Sequence, residues 1–332
     1  MKRLTWSLAL LLGVLVSFLV SIWLGAVDFT LSEIVAVLTG GGEPDARQIV
    51  LELRAPRATL AILVGGGLAL AGAVFQALLR NPLAEPYILG ISGGAATGTV
   101  VALALGISTS QSWVLPATSF AGALLAITLV LRIAVIANDR LDVRVLLLAG
   151  VVVGAFFTAC ISLVLSVSDT RTLRSAVLWM MGSLAGADWT KVVVVAFYTL
   201  PAVIFLAGLA RPLNLLAIGE DTAGYLGTNV ELVKKISYIA ASLLTAAGVA
   251  ATGIIGFVGL IVPHGLRIVV GSDYRILLPL SFLAGAVFLT LADVIARTIL
   301  SPIEIPIGVI TAFVGVPLFL ILLRQSFSSR VP

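Results

Sequence analysis

The feature that most constrains this chain is how far it runs without a charge. Residues 4–27, 58–79, 88–107 and 145–168 contain no Asp, Glu, Lys or Arg, and each matches the ~20 apolar residues that cross a hydrocarbon core. Six further apolar stretches lie at 113–137, 191–210, 236–253, 254–270, 276–300 and 305–323. The expected fold is all-α and polytopic, about ten transmembrane helices in one permease-like domain over residues 1–332. Only 11% of residues are charged, against about 25% in soluble domains. That excludes a water-soluble enzyme, a disordered chain and a nucleic-acid binder, and makes membrane lipid the surrounding partner.

Two assignments need separate argument. The first span follows Lys2 and Arg3 and imitates a secretory signal, but its apolar core is about twice the usual 7–15 residues, so it reads as a retained anchor. The run from Tyr238 to Val270 is punctuated by Gly253, Gly256, Gly259 and Pro263. It reads as two spans or as one broken helix.

The net charge is +4, but the basic residues are dispersed, and they act as topology signals. With a cytoplasmic N-terminus the inner side holds Lys2, Arg3, Arg80, Arg132, Arg140, Arg144, Arg211, Lys234, Lys235, Arg267, Arg275, Arg324 and Arg330. The outer side holds Arg47, Arg54, Arg57, Arg171, Arg174, Lys191 and Arg297. Orientation with both termini cytoplasmic follows. Trp6, Trp23 and Trp113 stand where aromatic rings meet the water boundary.

The residues offer little chemistry. Arg132, Asp293 and Arg297 lie within spans, and Asp293 and Arg297, one helical turn apart, can pair. An ion-coupled carrier buries ionisable groups near mid-membrane, so the driving energy is expected to enter from elsewhere. No lysine follows a glycine, so a phosphate-cradling Walker A loop is absent. One histidine, His264, and one cysteine, Cys160, cannot make a multi-ligand metal site; His264 reads as a capping or packing residue and Cys160 as a packing residue. No nucleophile, base and acid come together in the pattern, so no catalytic residue and no cofactor bound by this chain are expected. Glycines at 65, 66, 67 and 72, at 90, 93, 94 and 98, and at 150 and 154 allow close helix packing or a lining that moves.

Three connections are long enough to fold. The outer segment 28–57 has a helical pattern from Leu31 to Leu38, then Gly40-Gly41-Gly42, then Leu53-Arg54-Ala55-Pro56-Arg57. Its two arginines form an expected outward positive patch, for lipid headgroups or for an acidic protein surface. The outer segment 169–190 places Leu173, Ala176, Val177 and Met180 on one helical face, as an interfacial helix or a cover over an opening. The inner segment 211–235 has Glu220 and Asp221 at a helix start and Gly227 at its stop, and suits the groove of another protein.

With these motifs in place, the chain from about Leu53 to Arg324 resembles the permease subunits of iron-siderophore, haem and cobalamin ABC importers, the type II import architecture. Beside the arginine segment, the matching text is Ala69-Leu70-Ala71-Gly72-Ala73-Val74-Phe75-Gln76, Arg80-Asn81-Pro82-Leu83-Ala84-Glu85-Pro86 and Gly219-Glu220-Asp221-Thr222-Ala223. It continues in Gly256 to His264, Leu291 to Arg297 and Glu304 to Thr311.

The resemblance implies a bacterial cytoplasmic-membrane subunit paired with a second copy or a sister permease. Two ATPase subunits, carrying ATP and Mg, would grip Glu220, Asp221, Thr222, Ala223, Tyr225, Leu226 and Gly227. A periplasmic or lipid-anchored binding protein would dock at Arg54, Arg57 and Arg297, and Asn81, Pro82 and Leu83 would help close an inner gate. The chelate stays open between siderophore, haem and cobalamin. An ion-coupled secondary carrier and a permease for bare zinc or manganese are the competing readings.

Overall fold

The computed structural model describes residues 2–107, 113–136 and 140–328. Arg330, counted above on the inner side, lies outside them. The regular structure of the described residues is all helical, with no strand among them.

The N-terminal part comprises α1 (Lys2–Trp23), α2 (Leu31–Leu38), α3 (Pro44–Arg47), a π-helical turn (Gln48–Arg54) and α4 (Ala55–Leu78). After a 3-10 turn (Pro86–Leu89) come α5 (Ile91–Ala104), α6 (Val114–Ile136), α7 (Val143–Ser166) and α8 (Thr170–Met180). The chain continues through α9 (Trp189–Gly208), α10 (Ala210–Ile218), α11 (Glu220–Tyr225) and α12 (Val230–Thr252). It closes with α13 (Val258–Val270), α14 (Tyr274–Thr298) and α15 (Ile307–Ser328).

Among the described residues, seven helical segments have the length and apolarity to cross a membrane: Leu4–Trp23, Pro44–Leu78, Val114–Val135, Val143–Ser166, Trp189–Gly208, Val230–Thr252 and Tyr274–Thr298. Three apolar helices are shorter, Ile91–Ala104, Val258–Val270 and Ile307–Ile321. The second span does not begin at residue 58 as the charge pattern predicts. It is one continuous helix from Pro44, because the π turn shifts the backbone pairing ahead of Pro56, with the Ala55 N–H reaching Val50 O. A proline lacks the N–H that regular α pairing needs, and a π turn is a standard way to absorb the break. The Tyr238–Val270 run is broken at 253–257, giving α12 and α13.

The scarce side chains that can cap helices sit at helix starts. Asp142, Asp169, Asp188, Asn229 and Asp273 each accept backbone N–H groups at the beginnings of α7, α8, α9, α12 and α14, where an oxygen satisfies orphan donors and an anion suits the helix dipole. Thr30 and Glu33 form a reciprocal capping box on α2.

Burial sorts the helices. α4 is enclosed along nearly its whole length, with α14, α12, α13 and α9 around it, while α5 lies between α6 and α7. In contrast α7 and α9 leave Leu148, Phe156, Leu163, Phe197 and Ile204 exposed, an apolar surface that needs lipid or protein around it. α4 can be central because its side chains are small. A Cβ on Gly72 would run into the backbone of Gly259, and one on Gly65 into the backbone of Gly285. Gly72→Leu is therefore expected to cost more than the ~1–3 kcal/mol typical of overpacking, because the obstacle is backbone; loss of the monodisperse peak in size-exclusion chromatography would report it.

Candidate functional site

The α8 end of the bundle holds the arginines singled out above. The Arg57 guanidinium donates to Asp293 Oδ1 at 2.9 Å and to Glu304 Oε1 at 2.8 Å, joining α4 to α14 and to the connection before α15. Asp293 is fully buried and also pairs with Arg297 Nε at 3.4 Å, one turn along α14 as the spacing predicts. Arg297 further donates to the Ser21 carbonyl and hydroxyl oxygens on α1.

Arg54 behaves differently from the expected outward patch. It is only 5% exposed and donates to Ile22 O and Trp23 O at 2.7 Å and to Val27 O, with its guanidinium over the Phe29 ring. The reason is local: α1 ends there, its last carbonyls have no intrahelical donor, and a five-donor guanidinium satisfies several at once. Arg54 and Arg297 thus fasten α1 to the bundle, and Arg57 is already neutralised by two carboxylates. Glu304 and Ser21 were not singled out in the sequence, although Glu304 opens one of the matching segments.

A groove of about 640 Å³ is lined by Met180, Met181, Ile254, Gly256, Phe257, Gly308 and Phe313. It is walled by the C-terminus of α8, the break between α12 and α13, and α15. α8 forms where the pattern predicts, but of its apolar face Ala176 is buried while Leu173 and Val177 stay exposed; its end brings both methionines to the groove. The break holds its shape through two left-handed residues, Gly253 (φ 73°) and Phe257 (φ 69°).

At the opposite end lie the segments read as gate and coupling elements. α4 stops with Arg80 in a left-handed conformation (φ 48°), and Asn81 folds the next turn by accepting from the Leu83 N–H at 2.9 Å. Asn81 and Pro82 are exposed and Leu83 half-buried, with the buried His264 beside Pro82.

The inner segment folds as two short helices, α10 and α11, the second starting at Glu220 as the pattern predicts. Asn214 on α10 grips the start of α14, its amide donating to Asp273 at 2.8 Å and accepting from the Tyr274 N–H at 2.9 Å. Ala223 is the buried foot of α11, Gly227 turns the chain at φ 81°, and Asp221 and Thr222 are exposed. Tyr225 is 91% exposed and Leu226 62%.

Lys234, read from the sequence only as a topology signal, anchors this corner. Its buried ammonium meets Glu231 at 2.7 Å, Glu220 at 2.8 Å and the Leu141 carbonyl at 2.6 Å, so all three N–H donors are used. Arg80 reaches Glu220 at 3.4 Å from the other side. Arg267 on α13, which bonds Gln76 and Tyr274, places a further charge inside the 254–270 span, whereas Lys234 lies on the first turns of α12, just ahead of the 236–253 span. The i,i+3 spacing of Glu231 and Lys234 was the legible signal.

Comparison with known proteins decides what this arrangement is. The sequence profile described as the FecCD transport family matches residues 12–325. The chain belongs to the FecCD transport family. A relative from Bacillus subtilis (strain 168), the uncharacterized ABC transporter permease protein YvrB, is 44% identical over 294 residues, 88% of this chain and 83% of the relative. The vitamin B12 import system permease protein BtuC of Salmonella typhi is 39% identical over 331 residues, 98% of this chain and 96% of its own length.

Among solved structures, one described as an inward-facing conformation of a metal-chelate type ABC transporter superposes with a TM-score of 0.87 at 33% identity, covering 96% of this chain and 98% of the other. As a FecCD member the chain is a type II importer permease in a multi-pass membrane fold, which bears out the resemblance carried by the motifs. The match begins at residue 12, ahead of the first motif recognised in the sequence.

Proposed function

We propose that this FecCD permease is the membrane gate of an ATP-driven importer that moves an iron chelate, haem or cobalamin by alternating access. The observation that carries the reading is the α10–α11 corner. An ion-paired platform of Glu220, Lys234 and Glu231 holds up a tip on which Tyr225 and Leu226 are exposed. Exposed aromatic and aliphatic side chains on a braced support are what a partner's groove needs, and a pair of ATPases is the partner that an ABC permease requires. Binding that differs between two states of the gate supplies the bias between them.

The rest of the molecule is consistent with that role. The seven long and three shorter apolar helices follow the order of the ten predicted spans, and ten spans put both termini on the ATPase side. The groove beside Phe257 and Phe313 is apolar and half-open, suited to a second permease copy across the pathway and to a large chelate that must not be held tightly. At the outer end a binding protein would meet the Arg57–Glu304 pair, the part that reaches solvent, with Arg54 and Arg297 as its support; an acidic side chain of that protein would have to displace Glu304 to engage Arg57.

The test is reconstitution with the partner ATPases and binding protein. Uptake of the chelate is expected to require ATP and to be indifferent to proton and sodium gradients. Uphill uptake by the permease alone under either gradient would overturn the proposal in favour of a secondary carrier. The ligand retained by the binding protein identifies the chelate.

A further inference from the structure

The break between α12 and α13 raises an accounting problem. It lies against α4, where a Cβ on Gly259, just past the break, would come within 2.9 Å of the Leu68 carbonyl near the middle of that helix, and a backbone that leaves helical pairing at membrane depth must find partners within the protein. The partners come from residues 81–90, the connection between α4 and α5. The Phe257 N–H donates to Glu85 Oε1 at 2.8 Å. The Tyr87 hydroxyl donates to the Ile255 carbonyl at 3.0 Å and accepts from the Ile255 N–H at 3.2 Å. Pro86 packs so close to Gly259 that a Cβ there would come within 2.8 Å of its ring.

Neither side chain belongs to the sites described above, and the span assignment left Glu85 in a loop. We infer that Glu85 and Tyr87 are positioning residues for the pathway wall: they clasp the α12–α13 break and fix the left-handed turn that presents Gly256 and Phe257 to the groove. A non-glycine residue at positive φ persists only when its surroundings over-determine it. Glu85 supplies that constraint by accepting the Phe257 N–H. The clasp continues directly into Asn81, Pro82 and Leu83, so displacement of that segment pulls on the wall.

This inference rests on reading the groove as the transport path, but its test does not. In a Cys160→Ser background of the full-length chain in membranes, Gly256→Cys provides a thiol on the wall; its Cβ would make ordinary contact with Glu85 at 3.6 Å. Labelling by a water-soluble maleimide is expected to accelerate about tenfold with Glu85→Ala or Tyr87→Phe, the change in open population that loss of a buried hydrogen bond implies. Glu85→Gln, which keeps an acceptor oxygen, is expected to label within about twofold of the parent.

In the reconstituted transporter Glu85→Ala should lose uptake while ATPase subunits still co-purify. Equal labelling rates in all variants would overturn the clasp, and so would a Glu85→Gln variant as fast as Glu85→Ala, because charge rather than acceptance would then matter. Should Glu85→Ala fail to accumulate, Tyr87→Phe, which removes one oxygen, decides by the same readout.

Discussion

Asp293→Ala is expected to destabilise the folded protein by about 3–5 kcal/mol, the usual consequence of stripping one partner from a buried ion pair. Asp293 stands between two arginines. Without it Arg297 keeps only the oxygens of Ser21 and Arg57 only Glu304, so a buried guanidinium is left without a counter-charge in low-dielectric surroundings. The same physics predicts partial rescue. Asp293→Leu combined with Arg297→Leu removes both charges, and well-packed apolar pairs often replace a buried ion pair at little or no cost. Thermal unfolding of the purified permease in detergent would show the single variant well below the parent and the double variant between them. A double variant no better than the single would mean that the Arg297 bonds to Ser21 contribute more than charge balance does.

Replacing Tyr225 by Ala together with Leu226 by Glu is expected to abolish uptake while leaving the permease fold intact. A central aromatic anchor is worth ~2 kcal/mol or more at a protein interface, and a carboxylate in place of Leu226 adds the desolvation cost of an unpaired charge, so together the two changes weaken ATPase association by roughly a thousandfold. Neither side chain is buried, so unfolding temperature should not move. Co-purification of the ATPases at wild-type stoichiometry, with normal uptake, would refute the tip as the coupling surface.

Much of this was legible in the residues. Charge-free stretches located the apolar helices, Leu31 to Leu38 and the 169–190 face gave α2 and α8, and Glu220 with Gly227 bounded α11. These features follow from periodicity and from cap and turn chemistry within a few residues. The outer arginines show where such reading ends. Their identity was visible, but whether a guanidinium faces water or turns inward depends on which carbonyls lie beneath it, and for Arg54 those belong to α1, some thirty residues earlier.

The amino-acid sequence by itself determined that the chain lives in lipid, that its helices pack through small residues and that no phosphate loop or His/Cys metal cluster is built into it. Hydropathy and residue type settle such matters locally. The tertiary structure alone decided the distant partners of its few charges: Arg57 with Asp293 and Glu304, Lys234 with Glu220, and Glu85 with the Phe257 amide. In a low-dielectric interior each such charge must meet a partner supplied by the fold, and partners up to 247 positions apart leave no trace in local pattern.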